Sequence, residues 1–395
     1  MSLDVAAIRK RFPALREAGD REIFFDNAAG AQVPDEVIEA IRAHLVGRGV
    51  NRGGPYPRSE AVDRSIAEAR DTVARFLNAS SPDEIIFGLN STSLIRMVAQ
   101  ASRPLFQPGD RVVVTQLDHE ANVGPWLRLD LPVGVWKVRG GAEARLELED
   151  LRALLNERGG SVRVVAMPLA SNAIGRVPDV AAAARLAHEF GALLFVDAVH
   201  YAPHGPVDVQ ALGADFLAFS GYKIFGPHGG FLWGSRESLR RLTPARDFFI
   251  PAEAPYGFEG GTQSFEMMAG TAAALRYVME IGADRIRAYE AELTSALLTQ
   301  LRRVPGLSIL GDSDPSHVDS RVPTVAFRME GATPPAIAAR LAEHGIHSRE
   351  GHMYAPRLLE ACGIDPATGV ARVSLCHYNT RAEIDRLGEA LRSLL

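Results

Sequence analysis

From about residue 60 to residue 235, stretches in which apolar residues recur every three to four positions alternate with short runs that are apolar throughout. The first pattern belongs to a helix with one buried face, and the second to a strand buried on both faces. Residues 61–77 and 179–190 are predicted as helices; 111–115, 162–167, 192–197, 215–220 and 230–233 are predicted as strands. The runs are rich in Val, Leu and Ala, which fits parallel strands covered by helices. A Pro/Gly-rich stretch, 244–261, precedes a long helical region from about 265 to 304 that reads as a connector. Beyond it, 322–329 and 370–378 read as strands, and 334–344 and 381–395 as helices, the last amphipathic. That order predicts a small α+β C-terminal domain.

With 395 residues, 47% of them hydrophobic, the chain can bury a large core and divide in two. The expected division is an N-terminal segment, 1–20, packing with the small domain; a large domain, 21–264; and a connector helix with the small domain, 265–395. A net charge of −5 without any dense Lys/Arg cluster argues against a nucleic-acid or membrane-surface footprint, while leaving room for a small anionic ligand. The first 23 residues mix charges and carry no apolar stretch of signal-peptide length, so the expectation is a cytoplasmic protein. The two cysteines, Cys362 and Cys376, are too few for a disulfide framework and have no partners at metal-site spacing, so no metal is expected.

Candidate chemistry gathers at the ends of two predicted strands. The run 192–197 ends in Asp197, followed by Ala198, Val199 and His200, where ligands bind at the carboxyl ends of parallel strands. A lone Asp there serves equally well as a helix cap. The run 215–220 ends in Ser220-Gly221-Tyr222-Lys223 and continues into a turn-rich segment. Apolar surroundings lower a lysine pKa and favour the neutral amine that imine formation needs. A pyridoxal cofactor requires a lysine for its aldehyde and an acid facing its ring nitrogen, and Lys223 with Asp197 supplies both. Its phosphate requires a helix start with hydroxyls. Residues 84–93 read as a strand turning into such a helix, with Ser91 and Thr92 at its start, although a plain N-cap has the same appearance.

The segments 26–34, 117–126, Ser171-Asn172, Val196-Asp197, Ser220 to Lys223 and Tyr378 to Thr380, in this order over nearly the whole chain, resemble the class V aminotransferase family in its cysteine desulfurase-like branch. The resemblance implies the type I fold of pyridoxal 5′-phosphate enzymes, with a mainly parallel seven-stranded sheet in the large domain. It implies that His119 stacks on the cofactor ring and moves protons, and that Asn172 bonds the ring hydroxyl. His200 stands where a glutamine is common beside that hydroxyl. Ser91, Thr92 and Ser220 correspond to the phosphate cup, with Tyr222 at a position where a histidine often touches phosphate. Thr262 matches a residue that reaches the phosphate of the neighbouring subunit, which implies a homodimer with shared sites. Arg372 resembles the arginine that clamps a substrate carboxylate, and the loop with Asn51 and Arg52 is implied to line the partner's site.

One departure bears on the reaction. Where a desulfurase carries the cysteine that accepts sulfur, after an Arg-x-Gly-His stretch, this chain has Arg349-Glu350-Gly351-His352-Met353-Tyr354. A phenol cannot form a persulfide. The expected function is therefore a pyridoxal 5′-phosphate enzyme acting on an amino acid as its small-molecule substrate, a carbon–sulfur lyase that releases its sulfur product. The alternatives are an aminotransferase or epimerase on the same scaffold, and a non-catalytic ligand-binding relative. Other enzyme signatures, the G-x-S-x-G elbow, the phosphate-binding P-loop and the H-E-x-x-H pair, do not occur.

Overall fold

A computed structural model describes residues 3–157 and 160–394. Residues 1, 2 and 395, which belong to the expected N-terminal segment and last helix, lie outside the described residues. The central sheet has seven strands in the order Ile85–Gly88, Gly230–Gly234, Phe216–Ser220, Leu193–Asp197, Val162–Pro168, Arg111–Thr115, Val133–Trp136. The five predicted strands lie within a residue of their observed limits. One expectation needs correction: Gly230–Gly234 runs antiparallel to both of its neighbours, Phe216–Ser220 and Ile85–Gly88. Its burial is that of a central strand, fully covered on both faces, and burial is the same for either direction. The remaining pairs are parallel, so the α/β, mainly parallel expectation holds.

Helices cover both faces of this sheet. On one side pack Pro57–Leu77, Leu148–Asn156, Val180–Glu189 and Phe265–Ile281; on the other, Ser91–Ala101 with Trp126 and Leu129. The helix predicted at 61–77 starts four residues earlier, with a proline at its first position, where the missing N–H costs nothing. The region predicted as one connector, 265–304, is two helices, Phe265–Ile281 and Ala283–Leu301, parted by Gly282 at φ +92°. The first lies on the large sheet, where Met268, Leu275 and Val278 join its core; the second supports the C-terminal sheet.

That second sheet has four antiparallel strands in the order Leu307–Leu310, Thr324–Met329, Val370–Ser374, Arg349–Gly351. Helices Ala283–Leu301, Pro334–Glu343 and Arg381–Arg392 pack against it. Near the N-terminus, Phe12 meets Phe225, Tyr277 and Tyr378 edge-on at 5.0–6.1 Å, while Arg9 bonds the Tyr378 carbonyl and Glu383 at 2.8 Å. The segment thus touches both sides of the junction. Among the described residues, no helix is long and apolar enough to cross a membrane.

A buried ion pair anchors the loop that carries Thr262. Arg70 and Glu259, both nearly enclosed, meet at 2.6 Å; Glu259 also accepts the Phe87 N–H at 2.8 Å, and Arg70 donates to the Ile85 carbonyl. Glu259→Ala is expected to destabilise the protein by about 3–5 kcal/mol, because it strands the Arg70 charge and the Phe87 N–H. Replacing both partners with apolar residues of similar volume, Arg70→Met with Glu259→Leu, is expected to cost much less. Urea midpoints of the three proteins test the comparison.

Candidate active site

The carboxyl ends of the parallel strands open onto one cavity lined by Ser91, Thr92, His119, Asn172, Asp197, His200, Tyr222 and Lys223. Eight residues singled out from five separate segments of the sequence therefore meet in space. Asp197 ends strand Leu193–Asp197, and Lys223 lies in the turn after the adjacent strand Phe216–Ser220. Asp197 accepts the Val199 N–H through Oδ1 at 2.9 Å, and its Oδ2 has no partner among the described residues. Burial raises its pKa, against the opposing effects of that hydrogen bond and of Lys223. Lys223 is brought down to about 8, first by burial and then by Arg372. Its Nζ makes no hydrogen bond among the described residues and is 5.8 Å from the Tyr222 ring centroid.

The phosphate-type corner is built by helix Ser91–Ala101. Asn90 caps it, accepting the Ser93 N–H at 2.8 Å, and the Ser93 side chain reciprocates toward the Asn90 N–H. Ser220 donates to Ser91 Oγ at 2.9 Å across the strand end. Gly230 is what allows the helix start so close to the sheet: a Cβ there would lie 2.2 Å from the Asn90 carbonyl carbon and 2.6 Å from the Ser91 nitrogen. Backbone N–H groups at this helix start suit an anion. Tyr222 stacks on His228, which the sequence reading passed over, at 4.9 Å and 9°.

His119 receives the Ala121 N–H on Nδ1 at 3.0 Å, which assigns its own proton to Nε2. Burial, then Lys223 and Arg372, bring its pKa down to about 4. Asn172 gives Nδ2 to the Met353 carbonyl at 2.7 Å and leaves Oδ1 buried without a partner. An unpartnered amide oxygen, an unpartnered lysine amine and a free carboxylate oxygen around one cavity fit a polar aromatic cofactor with an aldehyde. They are compatible with the expected pyridoxal phosphate.

Arg372 lies behind Asn172 rather than among the lining residues. It is 3% exposed, donates to the Asn172 carbonyl at 2.8 Å and to Asp26 Oδ1 at 3.2 Å, and its Nε is unpartnered. Asp26 is also gripped by Arg349, at 2.7 and 2.9 Å. The sequence reading gave Asp26 and Arg349 no role, although both stand in quoted segments; the ion pairs span 346 and 323 residues, beyond any local signal.

Tyr354 stands at the rim, 60% exposed, with its ring centroid 5.3 Å from that of His119. Its loop is tied down: the Tyr354 carbonyl accepts the Glu120 N–H at 2.7 Å, its N–H donates to His352 Nδ1 at 2.9 Å, and Arg357 pairs with Glu120. Met353 and Tyr354 both hold left-handed backbone, φ +53° and +55°, a costly arrangement for side-chain-bearing residues. Asn51, Arg52 and Thr262 lie elsewhere, lining a separate cavity with Tyr256, over which the Arg52 guanidinium sits at 4.8 Å.

The class-V aminotransferase model matches residues 23–387. A probable cysteine desulfurase of Streptomyces coelicolor is 36% identical, over 98% of this chain and 96% of its own length. The aminotransferase-like protein FGM3 of Gibberella zeae is 34% identical, over 100% and 99%. Among solved structures, a cysteine desulfurase of Thermococcus onnurineus NA1 superposes with a TM-score of 0.91 at 29% identity, covering 100% of this chain and 98% of that one. The cysteine desulfurase CsdA of Escherichia coli gives 0.88 at 29%, with both chains fully covered. By sequence over almost its whole length and by fold, the chain belongs to the class-V aminotransferase family.

Proposed function

We propose that this chain is a pyridoxal 5′-phosphate enzyme that breaks the carbon–sulfur bond of an amino acid and releases the sulfur as a free product. Relatives named cysteine desulfurases support the substrate class. The observation that carries the release is Tyr354, held at the rim by two backbone hydrogen bonds in a loop that the Arg357–Glu120 pair also restrains. Neither thiol replaces it. Burial pushes Cys362 up to about 11 and Cys376 well above the usual range, so both stay protonated and poorly nucleophilic.

Pyridoxal phosphate, when bound, supplies an aldehyde for the substrate amine and a ring that draws electrons from Cα. Lys223 would hold the aldehyde, Asp197 face the ring nitrogen, and Ser91, Thr92, Ser220 and Tyr222 receive the phosphate. Lys223 is the base for the Cα proton, because its amine is neutral over a useful range. His119 is not: its Nδ1 lone pair is engaged by a hydrogen bond from the Ala121 N–H, and its Nε2 carries the ring proton. Its Nε2–H is instead a donor available to departing sulfur. Arg372, held behind Asn172 by Asp26, would be the cation for the substrate carboxylate through its unpartnered Nε. Thr262, with Asn51 and Arg52, would serve the second subunit of a homodimer, since they face a cavity of their own.

With L-cysteine and water, this chemistry yields equal amounts of sulfide, pyruvate and ammonia, and no protein-bound persulfide. Incubation with L-cysteine, cysteine sulfinate and a panel of amino acids with keto acids tests it. Cys362→Ser with Cys376→Ala is expected to keep the rate. Amino-group transfer without elimination, or loss of sulfur release in that double variant, would overturn the proposal.

The lysine makes a further prediction on pH. Only the neutral amine captures an aldehyde, and a pKa near 8 leaves about a tenth of it neutral at pH 7, against roughly 0.03% for an ordinary lysine. Capture of added cofactor by cofactor-free protein should speed up about tenfold per unit below pH 8 and level off above it. Stopped-flow absorbance measures this; a rate still climbing beyond pH 10 contradicts it.

A further inference from the structure

A second group of titratable side chains is enclosed behind the active site and takes no part in the reaction above. His204 stands in the turn after strand Leu193–Asp197, Glu290 on helix Ala283–Leu301, and Cys376 just beyond strand Val370–Ser374. One side-chain atom from each, an imidazole nitrogen, a carboxylate oxygen and a sulfur, lie within 4.8 Å of one another. The three residues are 2%, 0% and 1% exposed. His204 and Glu290 are 86 positions apart, and Cys376 lies farther on, so the spacing that argued against a metal could not show this group.

Glu290 is the residue without an adequate environment. Its Oε2 is 2.8 Å from His204 Nδ1, and its Oε1 is buried without a hydrogen bond of good geometry. Arg287, one turn earlier on the same helix, spends its guanidinium on the carbonyls of Val318, Asp319 and Arg321. Burial raises the Glu290 pKa, against the opposing effects of His204, Arg287 and the His377 N–H. A carboxylate taken wholly out of water is costly unless a cation completes its surroundings.

We propose that His204, Glu290 and Cys376 form a zinc site. Imidazole nitrogen, thiolate sulfur and carboxylate oxygen together select zinc, whereas magnesium and calcium take oxygen ligands. The charges close as well: a doubly positive ion with one thiolate, one carboxylate and a neutral imidazole is neutral overall, which suits an enclosed place. Glu290 Oε1 supplies the carboxylate bond, or joins Oε2 to fill a fourth position. In the metal-free chain burial keeps the Cys376 thiol protonated. Binding breaks that S–H bond, forms a zinc–sulfur bond and releases the proton.

The ion is structural. Its ligands come from the large domain, from the helix that supports the C-terminal sheet, and from the end of the strand that carries Arg372. It therefore clasps that strand to the active-site end of the large sheet, and His204 meets the cavity residue His200 edge-on at 5.6 Å. None of the three ligands lines the cavity. Sulfur release per folded molecule should survive loss of the metal, in keeping with the expectation for Cys376→Ala above.

The site is independent of the cofactor reading and is tested without using activity. Tag-free, full-length protein from cells grown with added zinc is washed with chelator, and its metal is read by plasma mass spectrometry. About one zinc per chain is expected in wild type, and less than about a tenth of that in Cys376→Ala and in Glu290→Gln, with circular dichroism unchanged. Protein from cells grown with cobalt should show a thiolate-to-cobalt absorbance that Cys376→Ala lacks. Less than about a tenth of an ion per chain in wild type, or equal metal in wild type and both variants, overturns the site. Where the variants fail to fold, Cys362→Ser, whose one thiol is Cys376, decides alone: a cobalt–thiolate absorbance upholds the site, and its absence overturns it.

Discussion

Lys223→Ala is expected to abolish turnover, by on the order of 10⁴-fold or more, while the protein still folds and still gathers cofactor weakly through its phosphate corner. The side chain makes no hydrogen bond among the described residues, so its loss leaves no polar partner stranded. What disappears is the amine that takes the aldehyde and the base that takes the Cα proton. The expected signature is a loss of lysine-linked absorbance with an unchanged unfolding midpoint. Activity within tenfold of wild type would mean that another amine performs both tasks. The turn before it, Ser220 to Tyr222, is fixed by the strand end and by Gly221 against Pro227, so the variant changes chemistry rather than shape.

Asp197→Asn is the second large effect. An amide keeps the shape and the Val199 N–H bond but removes the charge that favours a protonated ring nitrogen. A loss of about 10²–10³-fold in kcat, with KM little changed, is the scale for deleting one aimed electrostatic partner in a water-poor site. Burial makes the carboxylate costly to keep, so the variant is also expected to be no less stable than wild type. A fall in stability with kcat intact would make Asp197 a structural cap, the competing reading of any acid at a strand end.

Both residues were legible in the sequence for the same reason: each follows an apolar run long enough to span the sheet, and polar residues next to such runs fall at the strands' carboxyl ends. The helix start at Ser91 was legible from its capping residues. The reversed direction of Gly230–Gly234 was not, because a strand buried on both faces is apolar whichever way it runs. Nor did the pattern show that the connector breaks at Gly282, since helical periodicity continues on either side. The ties of Asp26 to Arg349 and Arg372, of Arg70 to Glu259 and of His200 to Thr324 join residues 124 to 346 positions apart. The ties of Arg372 and of Thr324 arise where the two sheets come together, and that of Arg70 from packing within the large domain. Tyr354 was recognised as a substitution, yet only the structure places its ring against His119 and its loop under three restraints.

The central claim is a covalent bond between one lysine and the cofactor, and reductive trapping tests it directly. Purified protein, supplied with pyridoxal 5′-phosphate, is treated with borohydride, digested and mapped by mass spectrometry. The predicted result is one stoichiometric cofactor adduct, on the peptide containing Lys223, and none in Lys223→Ala. No adduct, or an adduct spread over other lysines with Lys223 unmodified, would contradict the account.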